Sequence, residues 1–228
     1  MRKPEKIIDG VYLVGSQDLT DMRDCCVYLI DGGSELALVD TGVGLSGWSI
    51  LDNIKTLGFE QDLLKYVIAT HGHIDHTGGL SFFQSLGAKI VAHVLELDAI
   101  SKGLPNLTAE KYYRLKYQPV EADLVLQGDR QDIQIGGLTL HCLLTPGHTP
   151  GGISPYVDLP GGRVLFGQDI HGPFNASWGS DLDKWQASMK KLIDLKADIL
   201  CEGHFGVYRP AAKVRQYIEH YLEQYADG

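Results

Sequence analysis

The chain has 228 residues with 20 basic and 29 acidic side chains, which gives a formal charge of −9. A hydrophobic content of 44% with 21% charged residues is that of an ordinary globular protein and excludes a disordered, collagenous or coiled-coil chain. The acidic balance, without a cluster of basic residues, opposes binding to nucleic acid or to an anionic membrane.

Membrane and export signals are not evident in the sequence. No run approaches the roughly 20 apolar residues of a membrane-spanning helix, and the first ten residues contain no apolar signal-peptide core. The four cysteines, of which Cys25 and Cys26 are adjacent, match neither a disulfide framework nor a C-x-x-C metal site. These features predict a cytoplasmic protein with buried free thiols and no membrane association.

The first half of the chain alternates strand-like and helix-like patterns. Short runs rich in β-branched and aromatic residues predict strands at 7–14, 25–30, 36–39, 66–69 and 89–92. Apolar residues spaced by three predict helices over 46–57 and 80–86. The pattern over 94–117 is helical, with a break at Gly103 to Pro105, and predicts a helical insertion at about 94–120.

Strand patterns return in the second half, at 123–126, 131–135, 138–144, 152–157, 163–166 and 199–201. Asp181 or Asp183 is expected to cap a helix that ends near Leu195, and Pro210 is expected to open a C-terminal helix. No linker or repeat divides the chain, so we expect one domain over 1–228. Many strands in each half, with helices between them, predict two mixed β-sheets packed face to face with helices outside, an αββα sandwich of the α+β class.

The segment that follows the strand at 66–69 places His71, His73, Asp75 and His76 within six residues. Alternate residues in an extended segment project to the same side, so His71 and His73 can bind one metal ion. Asp75 and His76 come a turn later and point elsewhere. This spacing favours two metal ions over one.

Three further candidate ligands each follow an apolar strand. They are His148, Asp169 and His204. A sandwich can assemble a site from such residues at one edge, where the loops after several strands meet.

Together with the turn at Asp40 to Gly42, these ligands resemble, in order and spacing, the metallo-β-lactamase superfamily of αββα hydrolases over nearly the whole chain. The resemblance implies that one metal is bound by His71, His73 and His148, and a second by Asp75, His76 and His204. It implies also that Asp169 bridges the two ions and that Asp40 supports a ligand histidine. Imidazole and carboxylate ligands favour two Zn²⁺, with Fe or Mn as alternatives.

Two divalent ions lower the pKa of a bridging water and polarise the bond that it attacks, which predicts a metal-dependent hydrolase with Asp75 as the proton acceptor. The compact glyoxalase II-like and lactonase-like members of the superfamily are the most similar, so we expect cleavage of an ester, thioester or lactone of a small, partly apolar molecule. Gly172 stands where acyl-homoserine lactonases carry a tyrosine, which argues against a quorum-signal lactonase.

The alternative functions are a β-lactamase-type amide hydrolase and a mononuclear iron persulfide dioxygenase that uses the His71, His148 and Asp169 type of ligand. A non-catalytic domain is disfavoured because the whole ligand set is present. Metal content would separate these possibilities.

Substrate contacts are predicted for residues shortly after Asp169. Phe174 and Trp178 lie in a loop with Gly, Pro and Asn, where we expect them to stay outside regular structure and to contact the apolar part of the substrate. His171 is a further candidate by position. The aromatic residues of the insertion, Tyr112 and Tyr113, either shape the same pocket or pack the insertion onto the body.

Overall fold

Two mixed β-sheets form the centre of the part of the chain that the computed structural model describes, residues 3–226. The first sheet contains β1 (Glu5–Ile8), β2 (Val11–Gly15), β3 (Val27–Asp31), β4 (Leu36–Val39), β5 (Leu64–Ile68), β6 (Lys89–His93) and β7 (Leu124–Leu126), in that order. Strands β1 to β4 are antiparallel, and β4 to β7 are parallel.

The second sheet contains β8 (Arg130–Ile135), β9 (Leu138–Leu144), β10 (Ile153–Leu159), β11 (Gly162–Phe166), β12 (Ile199–Cys201) and β13 (Val207–Tyr208). Its spatial order is β13-β12-β11-β10-β9-β8. Strands β11 and β12 are parallel, and the other neighbours are antiparallel. Strands β9, β11 and β12 therefore end at the same edge.

The helices are α1 (Gly47–Thr56), α2 (Ile74–Thr77), α3 (Leu80–Ser85), α4 (Leu97–Ile100), α5 (Glu110–Tyr113), α6 (Leu182–Asp194) and α7 (Ala211–Gln224). Helices α1, α3 and α4 pack on the outer face of the first sheet, α6 and α7 pack on that of the second, and the short helices α2 and α5 contact each other. Short 3₁₀ turns occur at Gln61–Leu63, Val94–Glu96 and Ala176–Trp178.

Three apolar layers hold these elements together. The inner layer joins the facing sides of the two sheets, with Tyr28 and Val91 from the first and Leu140 and Phe166 from the second. A second layer packs α1 and α3 on the first sheet, and a third packs α6 and α7 on the other. This arrangement confirms the predicted αββα sandwich.

Local sequence accounts for several element ends. Asp181 caps α6, since its side chain accepts a hydrogen bond from the backbone N–H of Lys184 at 3.0 Å. Pro210 directly precedes α7 instead of lying in its first turn. The strand predicted over 7–14 is a hairpin, because Gly10 has φ +92° and turns the chain between β1 and β2.

The predicted insertion at 94–120 is only partly helical. Helical structure is limited to residues 94–100 and to α5, and the rest of the segment is irregular. Gly103, Pro105 and Pro119 interrupt the pattern, since proline cannot continue a helix. The ends of the predicted domain, residues 1–2 and 227–228, lie outside the described residues.

The free cysteines Cys25, Cys26, Cys142 and Cys201 are all buried, as predicted. Between residues 3 and 226, none of the helices combines the length and the apolar composition that crossing a bilayer requires.

Candidate metal centre

The candidate ligands meet where β5, β9, β11 and β12 end. His71 follows β5, His148 follows β9, Asp169 follows β11 and His204 follows β12. Two backbone hydrogen bonds join these loops, from Ile153 N to Thr70 O at 2.8 Å and from Gly203 N to Gln168 O at 3.0 Å. Residues that are distant in sequence therefore share one edge of the sandwich.

The loop after β5 divides its side chains between two directions. His71 and His73 lie in its irregular part, and His73 has an extended backbone immediately before α2. Asp75 and His76 lie within α2, so their side chains leave the chain at a different angle. Gly72 between the two histidines allows close approach, because a Cβ there would collide with Ala99 and with the carboxylate of Glu96.

The first cluster consists of four buried side chains whose ligand atoms all lie within 4.8 Å of one another: His71, His73, His148 and Asp169. The His148 Nε2 atom lies 3.0 Å from His73 Nδ1 and 3.4 Å from Asp169 Oδ2. The His71 Nε2 atom lies 4.0 Å from the same Asp169 oxygen.

The second cluster consists of Asp75, His76 and His204, whose ligand atoms also lie within 4.8 Å of one another. The Asp75 Oδ2 atom lies 3.2 Å from His204 Nε2 and 3.5 Å from His76 Nε2. The two ring nitrogens are 3.2 Å apart.

Asp169 lies between the two clusters. Its Oδ2 atom faces the first cluster, as described above, whereas its Oδ1 atom lies 3.1 Å from His76 Nε2 and 3.3 Å from His204 Nε2. A carboxylate with one oxygen turned toward each cluster has the geometry needed to bridge two cations.

Asp40 organises the ring orientation of two histidines. Its carboxylate accepts hydrogen bonds from Thr70 N at 2.9 Å, from Thr70 Oγ1 at 2.8 Å and from His76 Nδ1 at 2.8 Å. The Thr70 hydroxyl, which gives its proton to Asp40, accepts in turn from His71 Nδ1 at 3.1 Å. These contacts leave the Nε2 lone pair of His71 and His76 for a metal ion.

A third histidine is oriented in the same way. His148 Nδ1 donates to the carbonyl oxygen of Pro173 at 2.8 Å, so its Nε2 lone pair also points into the first cluster. The buried Nε2 of His71 has no hydrogen-bond partner among residues 3–226. Such an atom is costly in an interior unless something coordinates it. Inward-facing imidazole and carboxylate donors fit divalent cations such as Zn²⁺.

The histidines of the first cluster are held neutral by their surroundings. Burial lowers the pKa of His71 and His148, and burial together with the charge of His148 lowers the pKa of His73 to about 3. Neutral imidazole is the form that binds a metal ion.

The second cluster has the opposite electrostatics. Burial alone would lower the pKa of His204, but the charge of Asp169 and hydrogen bonds to Asp169 and Asp75 raise it to about 10. The pKa of His76 is also raised well above its usual range, although burial opposes this change. Burial would raise the pKa of Asp75, but His76 and His204 lower it to about 2. The two positive imidazoles of this cluster therefore lie beside two carboxylates, Asp75 and the shared Asp169.

Cys25 lies beside the second cluster, a position that the sequence did not indicate. Its sulfur lies within 4.8 Å of ligand atoms of Asp40 and His76. Burial raises the pKa of this thiol well above its usual range, so the sulfur stays protonated at neutral pH.

Two buried glutamates, neither of them predicted from the sequence, support the ligand loops. The Glu96 carboxylate accepts from Gly72 N and from Gly151 N, each at 2.7 Å, and so joins the loops of His71 and His148. Burial raises its pKa to about 7. In the sequence, Glu96 is the one glutamate in the mainly apolar stretch from Val91 to Ile100, and this isolated position could have indicated a buried carboxylate.

Glu202 has the corresponding position at the other cluster. Its carboxylate accepts from His204 N at 2.6 Å, from Phe205 N at 2.7 Å and from His171 Nδ1 at 2.8 Å. Its place two residues before His204 was a signal that could have been used.

A cavity of about 370 Å³ adjoins the clusters and combines their side chains with aromatic residues. It is lined by Gln17, His73, Asp75, Ala109, Tyr112, Tyr113, His148, Asp169, His171, Pro173, Trp178, His204 and Phe205. The insertion and the segment after Asp169 therefore form opposite parts of one pocket.

The predicted substrate residues divide into two groups. His171 and Trp178 line the cavity, and the Trp178 ring lies 4.6 Å from the ring of His73. The expectation that Trp178 lies outside regular structure is wrong, since it is 8% exposed and ends a 3₁₀ turn. Phe174 is not among the lining residues. The centroid of its ring lies 5.2 Å from that of Trp185 on α6 and 4.9 Å from that of Tyr225, which follows α7. We therefore assign Phe174 to the packing of these helices on the sheet.

Known proteins provide an independent comparison. Residues 21–204 match the family model described as the metallo-beta-lactamase superfamily. A beta-lactamase-like protein 2 homolog of Caenorhabditis elegans is 29% identical over 198 residues, which cover 86% of this chain and 61% of that protein.

Two further relatives have more specific names. The N-acyl homoserine lactonase AttM of Rhizobium radiobacter is 30% identical over 159 residues, covering 60% of this chain and 57% of that protein. The atrochrysone carboxyl ACP thioesterase of Aspergillus fumigatus is 25% identical over 209 residues, covering 91% of this chain and 59% of that protein. The chain thus spans about three-fifths of the length of these curated relatives.

Among solved structures, a HARLDQ-motif mutant of the metallo-beta-lactamase from Cronobacter sakazakii superposes with a TM-score of 0.84. The match covers 99% of this chain and 96% of that chain at 21% identity. At this identity the likeness establishes the fold.

Proposed function

Because the chain belongs to the metallo-β-lactamase superfamily, we propose that it is a hydrolase that binds two divalent cations, with Zn²⁺ as the first choice, and cleaves an ester, thioester or lactone. The observation that carries this proposal is the position of Asp169, with one carboxylate oxygen toward each histidine cluster beside an aromatic cavity. The curated lactonase and thioesterase relatives support the acyl substrate class.

Each cluster supplies the ligands of one cation. His71, His73 and His148 would hold the first ion and Asp75, His76 and His204 the second, with Asp169 shared. A cation pair supplies an activated water and a Lewis acid for the substrate carbonyl.

Asp75 has the charge state and position of a proton acceptor. Its pKa is lowered to about 2 by His76 and His204 in spite of burial, so it is a carboxylate at neutral pH. It also lines the cavity, where its carboxylate can take the proton of the attacking water.

The cavity walls favour a small, partly apolar acyl or ring group. Trp178 and Phe205 line the side that follows Asp169 and His204, and Tyr112 lines the side of the insertion. Aromatic walls exclude water from an apolar group, and a cavity of about 370 Å³ limits its size.

Metal analysis and a substrate panel test the proposal. The protein is loaded with Zn²⁺, Mn²⁺ or Fe²⁺, the metal per chain is measured, and turnover is followed on esters, thioesters, lactones, β-lactams and a persulfide. Two ions per chain with hydrolysis of acyl substrates is the expected result. One iron per chain with oxygen uptake on the persulfide would identify a dioxygenase, and hydrolysis of β-lactams alone an amide hydrolase.

A matched pair of variants assigns the activity to this site. Asp169→Asn should lose cooperative loading and most activity, because a neutral amide bridges two cations poorly. His220 lies on the exposed side of α7, so His220→Ala should keep both the cooperative metal loading and the activity. Equal metal content and rate in Asp169→Asn and the unaltered protein would remove Asp169 as the bridge.

A further inference from the structure

Tyr113 lines the wall of the cavity that the insertion forms. The residue ends α5, is half-buried and lines the cavity together with Asp75 and Asp169. Its hydroxyl hydrogen-bonds with the Asp75 side chain. Since Asp75 is a carboxylate, the hydroxyl is the donor. A phenol with its ordinary pKa near 10 is a neutral hydrogen-bond donor at neutral pH.

The short helix that carries Tyr113 is fixed in place on several sides. Thr108 O accepts a hydrogen bond at 2.8 Å from Ile74 N, next to Asp75. Ala109 and Arg114, on either side of α5, both have φ +54°, a left-handed conformation that non-glycine residues adopt at a cost. Strained backbone of this kind is found where surrounding contacts hold a functional segment.

A second connection reaches across the cavity. The Tyr112 ring lies 5.5 Å from the ring of Trp178, and the Tyr112 hydroxyl accepts from Asn175 Nδ2 at 3.1 Å. The direction of Tyr112 toward the opposite wall leaves its neighbour Tyr113 turned to Asp75.

An acyl hydrolase must also stabilise its leaving group. An alkoxide leaves poorly unless its oxygen receives a proton or a hydrogen bond as the bond to carbon breaks, whereas a thiolate is a good leaving group and its sulfur a weak acceptor. In the balanced reaction, water adds to the carbonyl carbon, the carbon–oxygen bond to the leaving group breaks, and the proton taken up by Asp75 passes to the leaving oxygen.

We propose that Tyr113 donates a hydrogen bond to the leaving oxygen and makes the enzyme selective for oxygen esters and lactones over thioesters. This inference rests on the proposed function and adds the substrate class to it. Tyr113 keeps its own proton throughout, so its contribution is a hydrogen bond that strengthens as negative charge grows on the leaving oxygen.

The test compares Tyr113→Phe with the unaltered protein on two substrates that carry the same acyl group on oxygen and on sulfur. We expect kcat on the oxygen ester or lactone to fall about ten- to hundredfold, the usual worth of a hydrogen bond to a charged group. On the thioester, kcat should fall less than about threefold. KM and metal content should change little. Calorimetry, which does not depend on turnover, should show that Tyr113→Phe binds the alcohol or hydroxy-acid product about tenfold more weakly than the unaltered protein does.

Tyr117→Phe is the matched control. Tyr117 belongs to the same insertion, but it is buried and does not line the cavity. Removal of its hydroxyl should therefore leave the ratio of kcat on the oxygen ester to kcat on the thioester unchanged. Equal losses on both substrates in Tyr113→Phe, or a loss in KM alone, would overturn the selectivity role and make Tyr113 a support for Asp75. Failure of the unaltered, metal-loaded protein to hydrolyse either substrate would instead remove the proposed function.

Discussion

The two clusters contain the same kinds of side chain, but the histidines of the first are neutral and those of the second are positively charged. In the first, burial lowers the pKa of His71, His73 and His148 and keeps them neutral. In the second, burial is outweighed by the carboxylates, and the pKa of His204 is raised to about 10. A cation can therefore enter the first cluster without displacing protons, whereas at the second it must compete with them.

The supports of the clusters differ as well. The first relies on Glu96, which joins its two loops through backbone N–H groups, and on the ring of Trp178. The second relies on Asp40, which contacts a ligand ring directly. Changes at these supports should therefore affect one cluster more than the other.

The largest effect is expected from breaking the first cluster itself. His148→Ala leaves two imidazoles and a shared carboxylate, so it should lose the first cation and retain the second. Activity should fall about 10³-fold or more, since a cation at the substrate carbonyl contributes several kcal/mol. Metal analysis and kcat/KM on the same preparation check this result. Two ions per chain with near-normal turnover would contradict the ligand assignment.

A pH-dependent effect is expected from Glu96. Burial raises its pKa from 4.5 to about 7, so the folded protein binds a proton more tightly than the unfolded chain. The stability from this group is complete below about pH 4.5 and is lost as the pH rises to about 7, by about 3 kcal/mol at most.

Glu96→Gln keeps a neutral side chain at every pH. Its free energy of unfolding should not show that decline, so the unaltered protein should lose stability relative to Glu96→Gln over this range, as measured by urea unfolding at several pH values. Glu96→Ala should be less stable at every pH, because it leaves two buried N–H groups without an acceptor at about 1–3 kcal/mol each. Parallel pH profiles for the unaltered protein and Glu96→Gln would contradict the assigned titration.

A smaller effect is expected from Asp40→Asn, which removes the carboxylate that orients His76. Metal affinity of the second cluster should fall about 10–100-fold, and that of the first cluster should fall less, because Asp40 reaches His71 only through Thr70. Competition with a chelator measures both steps. Asp132→Asn is a suitable control, because Asp132 forms an Asp–His contact of 2.8 Å with His141 outside both clusters. Equal weakening at the two clusters would show that Asp40 acts on the whole fold.

The smallest effect is expected from Trp178→Ala. Loss of its ring should lower kcat/KM about tenfold at unchanged metal content, since one ring that shields an apolar group contributes on the order of 1–3 kcal/mol. Trp48→Ala, at a residue 67% exposed on α1, provides the comparison. Melting temperature, metal content and kcat/KM are measured together. Reduced stability with unaltered kcat/KM would assign Trp178 to packing.

Local pattern predicted most of the elements. The strands β4, β9 and β12 have the predicted bounds, because each is a short apolar run between polar turns. Prediction was weaker over the insertion, where glycine and proline interrupt a helical pattern and tertiary contacts fix the chain.

The sequence by itself determined the αββα layering and the donor types of the site, because periodicity and the block at residues 71–76 are local properties. Only the tertiary structure decided the contacts between distant segments. It turned the two oxygens of Asp169 to different clusters, buried Glu96 between two loops, set Cys25 beside His76 and separated Trp178 from Phe174. These positions depend on how strands far apart in sequence end at one edge, and no local pattern encodes that packing.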